Sequence, residues 1–199
     1  MVKVSGKVVG AGVAAAAAVG LGLYLLKGDG AQRFTTVLRD GAMALRDYPE
    51  LIVAETRVAG YRDHALSEGL VVIADFLNGQ AGVGGAVPIG APLMADGTDD
   101  GMGRWRTRLI VPADAGIAIS GEDEDATVWV RAVAPRRVAA IRFSGEADEP
   151  MLNQREAELR AWIEARALSI TGSAEHAFYD SPLTPPALRR NEVIIPVAA

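Results

Sequence analysis

Val53-Ala54-Glu55-Thr56-Arg57-Val58-Ala59-Gly60 and Val138-Ala139-Ala140-Ile141-Arg142-Phe143-Ser144-Gly145 align without a gap, and Val, Ala, Arg and Gly fall at corresponding positions. Each copy reads as a strand rich in β-branched and apolar residues that stops at a glycine. A helix follows each glycine. After the first, Leu66, Leu70, Ile73 and Leu77 recur at helical spacing, with Asp63 placed to cap the start and Asn78-Gly79 to end it. After the second, Pro150 suits the first helical position, and Asp148 and Glu149 sit at the positive end of the dipole. Leu152, Leu159, Trp162 and Ile163 make that helix's apolar face.

Two strands follow each helix: Val87–Met94 and Trp105–Val111 in the first copy, Ala177–Asp180 and Glu192–Val197 in the second. Thr127–Val133 makes a further strand, turning at Pro135 into Val138–Phe143. The repeated order of elements predicts an α+β fold built from a duplicated β-α-β-β unit, with helices near 62–78 and 150–168.

Upstream of the repeat the pattern changes twice. Gly28–Asp40 reads as a polar linker. Val8–Leu26 carries no charge over 19 residues and lies between Lys3 and Lys7 on one side and Lys27 on the other. As a helix it is about 28 Å long, close to the hydrocarbon thickness of a bilayer. It is expected to be an N-terminal transmembrane helix; a cleaved signal peptide, processed in the alanine run 14–18, is the alternative. The flanking lysines favour an N-terminus in the cytoplasm and a periplasmic or otherwise extracytoplasmic domain. The expected division is therefore a membrane anchor over 1–27, a linker over 28–43 and one soluble domain over 44–199.

Composition narrows the function. Half of the 199 residues are hydrophobic and 23% are charged, enough for a sizeable core. The net charge of −5 argues against a nucleic-acid partner. With no cysteine, disulfides, thiolate metal sites and cysteine nucleophiles are excluded. No serine sits in a Gly-x-Ser-x-Gly setting, and no glycine run stands between a strand and a helix as phosphate binding requires. A binding protein is expected, not an enzyme.

Three segments of the domain resemble the SOUL heme-binding family. They are Leu45-Arg46-Asp47-Tyr48-Pro49 before the strand at 51–58, Val87-Pro88-Ile89-Gly90-Ala91-Pro92-Leu93, and Tyr179-Asp180-Ser181-Pro182 followed by Arg189-Arg190-Asn191-Glu192-Val193. The resemblance covers about 44–197. It implies a twisted antiparallel sheet or distorted barrel of about eight strands, in two pseudo-equivalent halves with two long helices, and heme or a related tetrapyrrole as ligand. Two departures stand out. Gly90 replaces the family's threonine, and Asp47 occupies the position of a proposed histidine ligand, so the expected binding is weak and mainly apolar.

Four residues are candidates to meet such a ligand. Arg104, Arg106 and Arg108 alternate along one strand and share a face, where guanidinium groups hold propionates well; an ordinary solvated face is the other reading. His176 is read as a loop residue, either a surface histidine or an axial ligand, and His64 as an exposed helix histidine. Arg189 and Arg190 are expected to be structural, bonding turn carbonyls or pairing with Asp180 or Glu192. Two further readings stay open: an effector-binding-type module for other amphipathic small molecules, and a ligand-free interaction domain at the membrane.

Overall fold

The computed structural model of the protein describes residues 34–80, 90–98, 103–112, 115–120, 126–180 and 183–199. Along the chain these form β1 (Thr35–Asp40), β2 (Met43–Tyr48), β3 (Leu51–Ala59), α1 (Arg62–Gln80), β4 (Gly90–Gly97), β5 (Arg104–Val111), β6 (Trp129–Val133), β7 (Arg136–Ser144), α2 (Glu149–Glu164), β8 (Glu175–Phe178) and β9 (Arg190–Val197). The strands make one antiparallel sheet in the order β1-β2-β7-β9-β8-β4-β5-β3-β6.

The duplication is visible in that order. Without β1, it reads the same from either end once β2 is matched with β6, β3 with β7, β4 with β8 and β5 with β9. The pseudo-twofold passes between β4 and β8, where Met94 faces Ala177. The aligned strands β3 and β7 have the same burial pattern, residue for residue. Their terminal glycines share one backbone conformation, φ +111° at Gly60 and +113° at Gly145, which a side chain would strain. The outer strands are exchanged between halves: β2 pairs with β7, and β6 pairs with β3.

Both helices lie on the same face of the sheet. Ile73, Ala74 and Leu77 of α1 pack on Ala54, Leu109 and Val111. Leu152, Leu159, Trp162 and Ile163 of α2 pack on Ala139, Ile141, Phe143, Val193 and Ile195. α1 approaches β5 so closely that a Cβ at Gly69 would lie 2.8 Å from Thr107. Asp148 caps α2, accepting a hydrogen bond from the Met151 amide, as its place before Pro150 suggests.

Several boundaries differ from the sequence reading, among them that of the strand read at Ala177–Asp180, which lies at Glu175–Phe178. The stretch read as a linker contains β1, and β2 begins at Met43, so nine strands are present among the described residues instead of about eight. All six residues of β1 are exposed at the sheet edge, so no apolar alternation marks it. The strand read at Val87–Met94 is described over Gly90–Gly97, and α2 stops at Glu164, followed by Ala167 at φ 52°. Val8–Leu26 lies outside the described residues; among those described, no helix is long and apolar enough to cross a membrane.

Candidate functional site

A cleft of about 360 Å³ opens on the helix face, over the junction of the two halves. Its floor is the cross-strand pair Leu93 and Phe178, from β4 and β8. Leu66 and Leu70 on α1 form one wall, and the turn Glu146-Ala147-Asp148 before α2 forms the other. The turn is fixed from two sides. Asn191 Nδ2 donates to the Gly145 carbonyl at 3.0 Å, and Arg62 Nη2 donates to the Ala147 carbonyl at 3.2 Å. Arg62 also bonds Asp63, so the start of α1 and the start of α2 are tied together beside the cleft.

The rim is acidic. Asp63, Glu146, Asp148 and Asp180 line the cleft with one basic residue, Arg189. Burial works to raise the Asp180 carboxyl, but the hydrogen bonds and charge of Arg190 hold it below the usual carboxylate range. None of the lining side chains is a histidine, methionine or tyrosine, so the cleft offers apolar surface and no common iron ligand.

Arg104, Arg106 and Arg108 share a face, as their alternation requires, but it is the face opposite the helices. It is only partly solvated: Arg108 is buried, and Arg104 and Arg106 are half-buried. Arg108 reaches Asp96 at 2.6 Å and Glu175 at 3.3 Å, and Arg106 also bonds Asp96. Glu175 receives both terminal nitrogens of Arg136. A second cluster surrounds Glu192, which is 0% exposed: Arg46 bonds it through two nitrogens, Tyr179 Oη at 2.7 Å and Arg142 Nε at 3.0 Å. Burial alone would raise the Glu192 carboxyl; the Arg46 bonds outweigh this and lower it.

These contacts account for the Tyr-Asp and Arg-Arg-Asn-Glu runs. Tyr179 meets Glu192, Arg190 pairs with Asp180, Arg189 Nε donates to the Thr184 carbonyl, and Asn191 holds the turn at Gly145. The structural role expected of Arg189 and Arg190 is the observed one. Asp47 forms an ion pair with Arg137 at 2.7 Å.

His176 is not a loop residue. It lies in β8, paired with Ala95 and Val193, with its side chain on the helix face and 7% exposed. Neither ring nitrogen has a hydrogen-bond partner among the described atoms, and the Trp105 ring is 6.2 Å away. Burial, then the charge of Arg62, lowers its pKa and keeps the imidazole neutral near pH 7. His64 is exposed on α1 and bonds Glu68 at 2.9 Å, as read from sequence. The sheet therefore separates His176 from the three arginines, which do not meet at one ligand. The cleft residues Leu93, Phe178 and Asn191 were missed because their meeting depends on the β4–β8 pairing, which no local pattern announces.

The model of the SOUL heme-binding protein family matches residues 31–196. No curated protein matches the chain. Among solved structures, the EcmrR C-terminal domain is 16% identical, with a TM-score of 0.58 over 78% of this chain and 96% of that one. EcmrR in its complex with DNA is 14% identical, with a TM-score of 0.57 over 96% of this chain and 67% of that one. A structure described as a hydrolase from Listeria innocua is 14% identical, with a TM-score of 0.56 over 81% and 94%. At these identities the likeness is one of fold.

Proposed function

Because the chain belongs to the SOUL heme-binding protein family, we propose that it is a non-enzymatic binder of heme or a related tetrapyrrole, received at the cleft between the two halves. The observation that carries this reading is the apolar floor and wall, Leu93, Phe178, Leu66 and Leu70, exposed between two helix starts that are tied in place. A cavity of this size accepts one edge of a porphyrin, with the rest of the ring outside. Burying about 200 Å² of apolar area contributes about 5 kcal/mol before ordering costs, which corresponds to an affinity of about 0.2 mM at its tightest. When bound, heme supplies the light absorption and the iron. The chain's side chains would hold the apolar edge, and Arg189 is the basic residue of the described lining.

The test is a hemin titration of the full-length protein followed by absorbance. Leu66→Glu places a charge on the apolar wall and is expected to weaken binding tenfold or more. Unchanged affinity in a folded L66E protein overturns this placement. The acidic rim favours a second reading, a neutral or cationic amphipathic ligand, since carboxylates repel propionates. Tighter binding of a cationic porphyrin than of hemin at low salt, with the difference shrinking in high salt, supports that reading.

Val8–Leu26 is proposed as an uncleaved anchor that holds the domain on the extracytoplasmic side. The full-length chain is then expected in the membrane pellet after a high-salt wash. Recovery of a shortened soluble chain favours the signal peptide.

A further inference from the structure

The pseudo-twofold relates the open cleft to a second place under the helices. Across the axis, Leu93 pairs with Phe178 and Ala95 with His176, so the rotation exchanges Leu93 with His176 and Phe178 with Ala95. With Gly60 aligned on Gly145, Arg57 matches Arg142; their cross-strand partners Arg106 and Glu192 then match, and Trp105 matches Asn191. The open cleft has Leu93, Phe178 and Asn191 where its counterpart has His176, Ala95 and Trp105. Arg62 and Ala147, the matched residues of the two strand-to-helix turns, bond each other between the two places.

The counterpart is closed by its own side chains. Asn191 is small and turned toward Gly145, which leaves its cleft empty; the Trp105 ring instead lies against His176. The enclosed imidazole has two nitrogens with no partner among the described residues, a state that native interiors seldom keep without a use. The cover has room to move. Trp105 is cross-strand from Gly97, where even a Cβ would meet nothing within 4 Å, and the ring itself is only partly buried.

We propose that this counterpart is a second, gated tetrapyrrole subsite, with Trp105 as its cover and His176 as the nitrogen that meets the metal at the centre of the ring. It shares the ligand class of the open cleft but depends on none of its lining residues. Binding there is weakened by the fraction of time the cover is closed, so removing the cover raises the apparent affinity.

Hemin titrations of the full-length chain test this. In Trp105→Asn, which installs the residue found at the matched position, two hemins are expected per chain, the second at least tenfold tighter than any second event in the unmodified protein. The second is also expected to shift the Soret band through imidazole ligation, and W105N/H176Q should lose that shift while keeping the first event. Trp105→Leu, a milder opening, serves if W105N does not fold. Where the unmodified protein binds hemin, a single event in a folded W105N or W105L protein overturns the proposal, as does any added event indifferent to H176Q. Failure of the open-cleft reading looks different: the unmodified protein binds no hemin, and W105N binds one through His176.

Discussion

On the helix face of the sheet, Ala139, Ile141, Val193 and Ile195 are buried by the apolar side chains of α2; on the opposite face, Arg46, Asp96, Arg108, Glu175 and Glu192 are buried with one another beside an apolar cluster of Met94, Val138, Ala140, Ala177 and Ile194. The first face is held by area removed from water, which tolerates a gap such as the cleft. The second adds matched charges to an apolar cluster, and there the loss of one charge strands its buried partner. A single strand can serve both: in β5, Leu109 belongs to the apolar face and Arg108 to the charged one. Alternation reports which residues share a face, and does not report whether that face is wet.

The largest effect is expected of Glu192→Gln. It leaves Arg46 buried without a counter-charge, and is expected to destabilise the fold by about 3–5 kcal/mol, seen as a lower urea midpoint. A change under 1 kcal/mol would mean that the charged face is hydrated after all. The triple change of Arg104, Arg106 and Arg108 to Ala is expected to act the same way, lowering stability first and touching hemin affinity only through unfolding.

On the apolar face the effects are smaller and specific to binding. Leu66→Glu is expected to cost tenfold or more in hemin affinity, about 1.4 kcal/mol, with the urea midpoint nearly unchanged because Leu66 is only partly buried. A large drop in midpoint would show that the cleft wall is core.

His176 is a polar group buried on the apolar face. Its folded pKa is depressed, so the unfolded chain takes up the proton first as pH falls. Stability is therefore expected to decline from about pH 6.5 downward until the folded-state value is passed, and His176→Gln should flatten that slope in urea titrations across pH 5–7. The smallest effect is expected for His64→Ala. Its bond to Glu68 is exposed, and the urea midpoint should barely move.

The repeat, both helices and the β3 and β7 strands were legible because each rests on local periodicity and a terminal glycine. The edge strand β1 was not, since exposed residues carry no period. Arg46 illustrates the limit for the charged face: in sequence it is one more surface-like arginine, and only the pairing of β7 with both β2 and β9 brings it to Glu192, 146 positions away. His176 was misread for a related reason. It sits in a four-residue strand too short to show alternation, and the Trp105 ring beside it comes from β5, far away in sequence. The cleft itself belongs to neither half alone.

The exchange of β2 and β6 has a consequence for the chain's ancestry and assembly. Each β-α-β-β half finishes its sheet only by borrowing an outer strand from the other, so a half-length chain encodes an incomplete sheet with a raw edge. Two such chains would satisfy that edge by trading the strand, which is the arrangement of a swapped dimer. Fusing them end to end turns an intermolecular trade into an intramolecular one, and the two copies are then free to diverge, with an asparagine at one matched position and a tryptophan at the other. If this is the history, the halves produced as separate chains, cut between 120 and 126, should find each other in solution and rebuild one sheet.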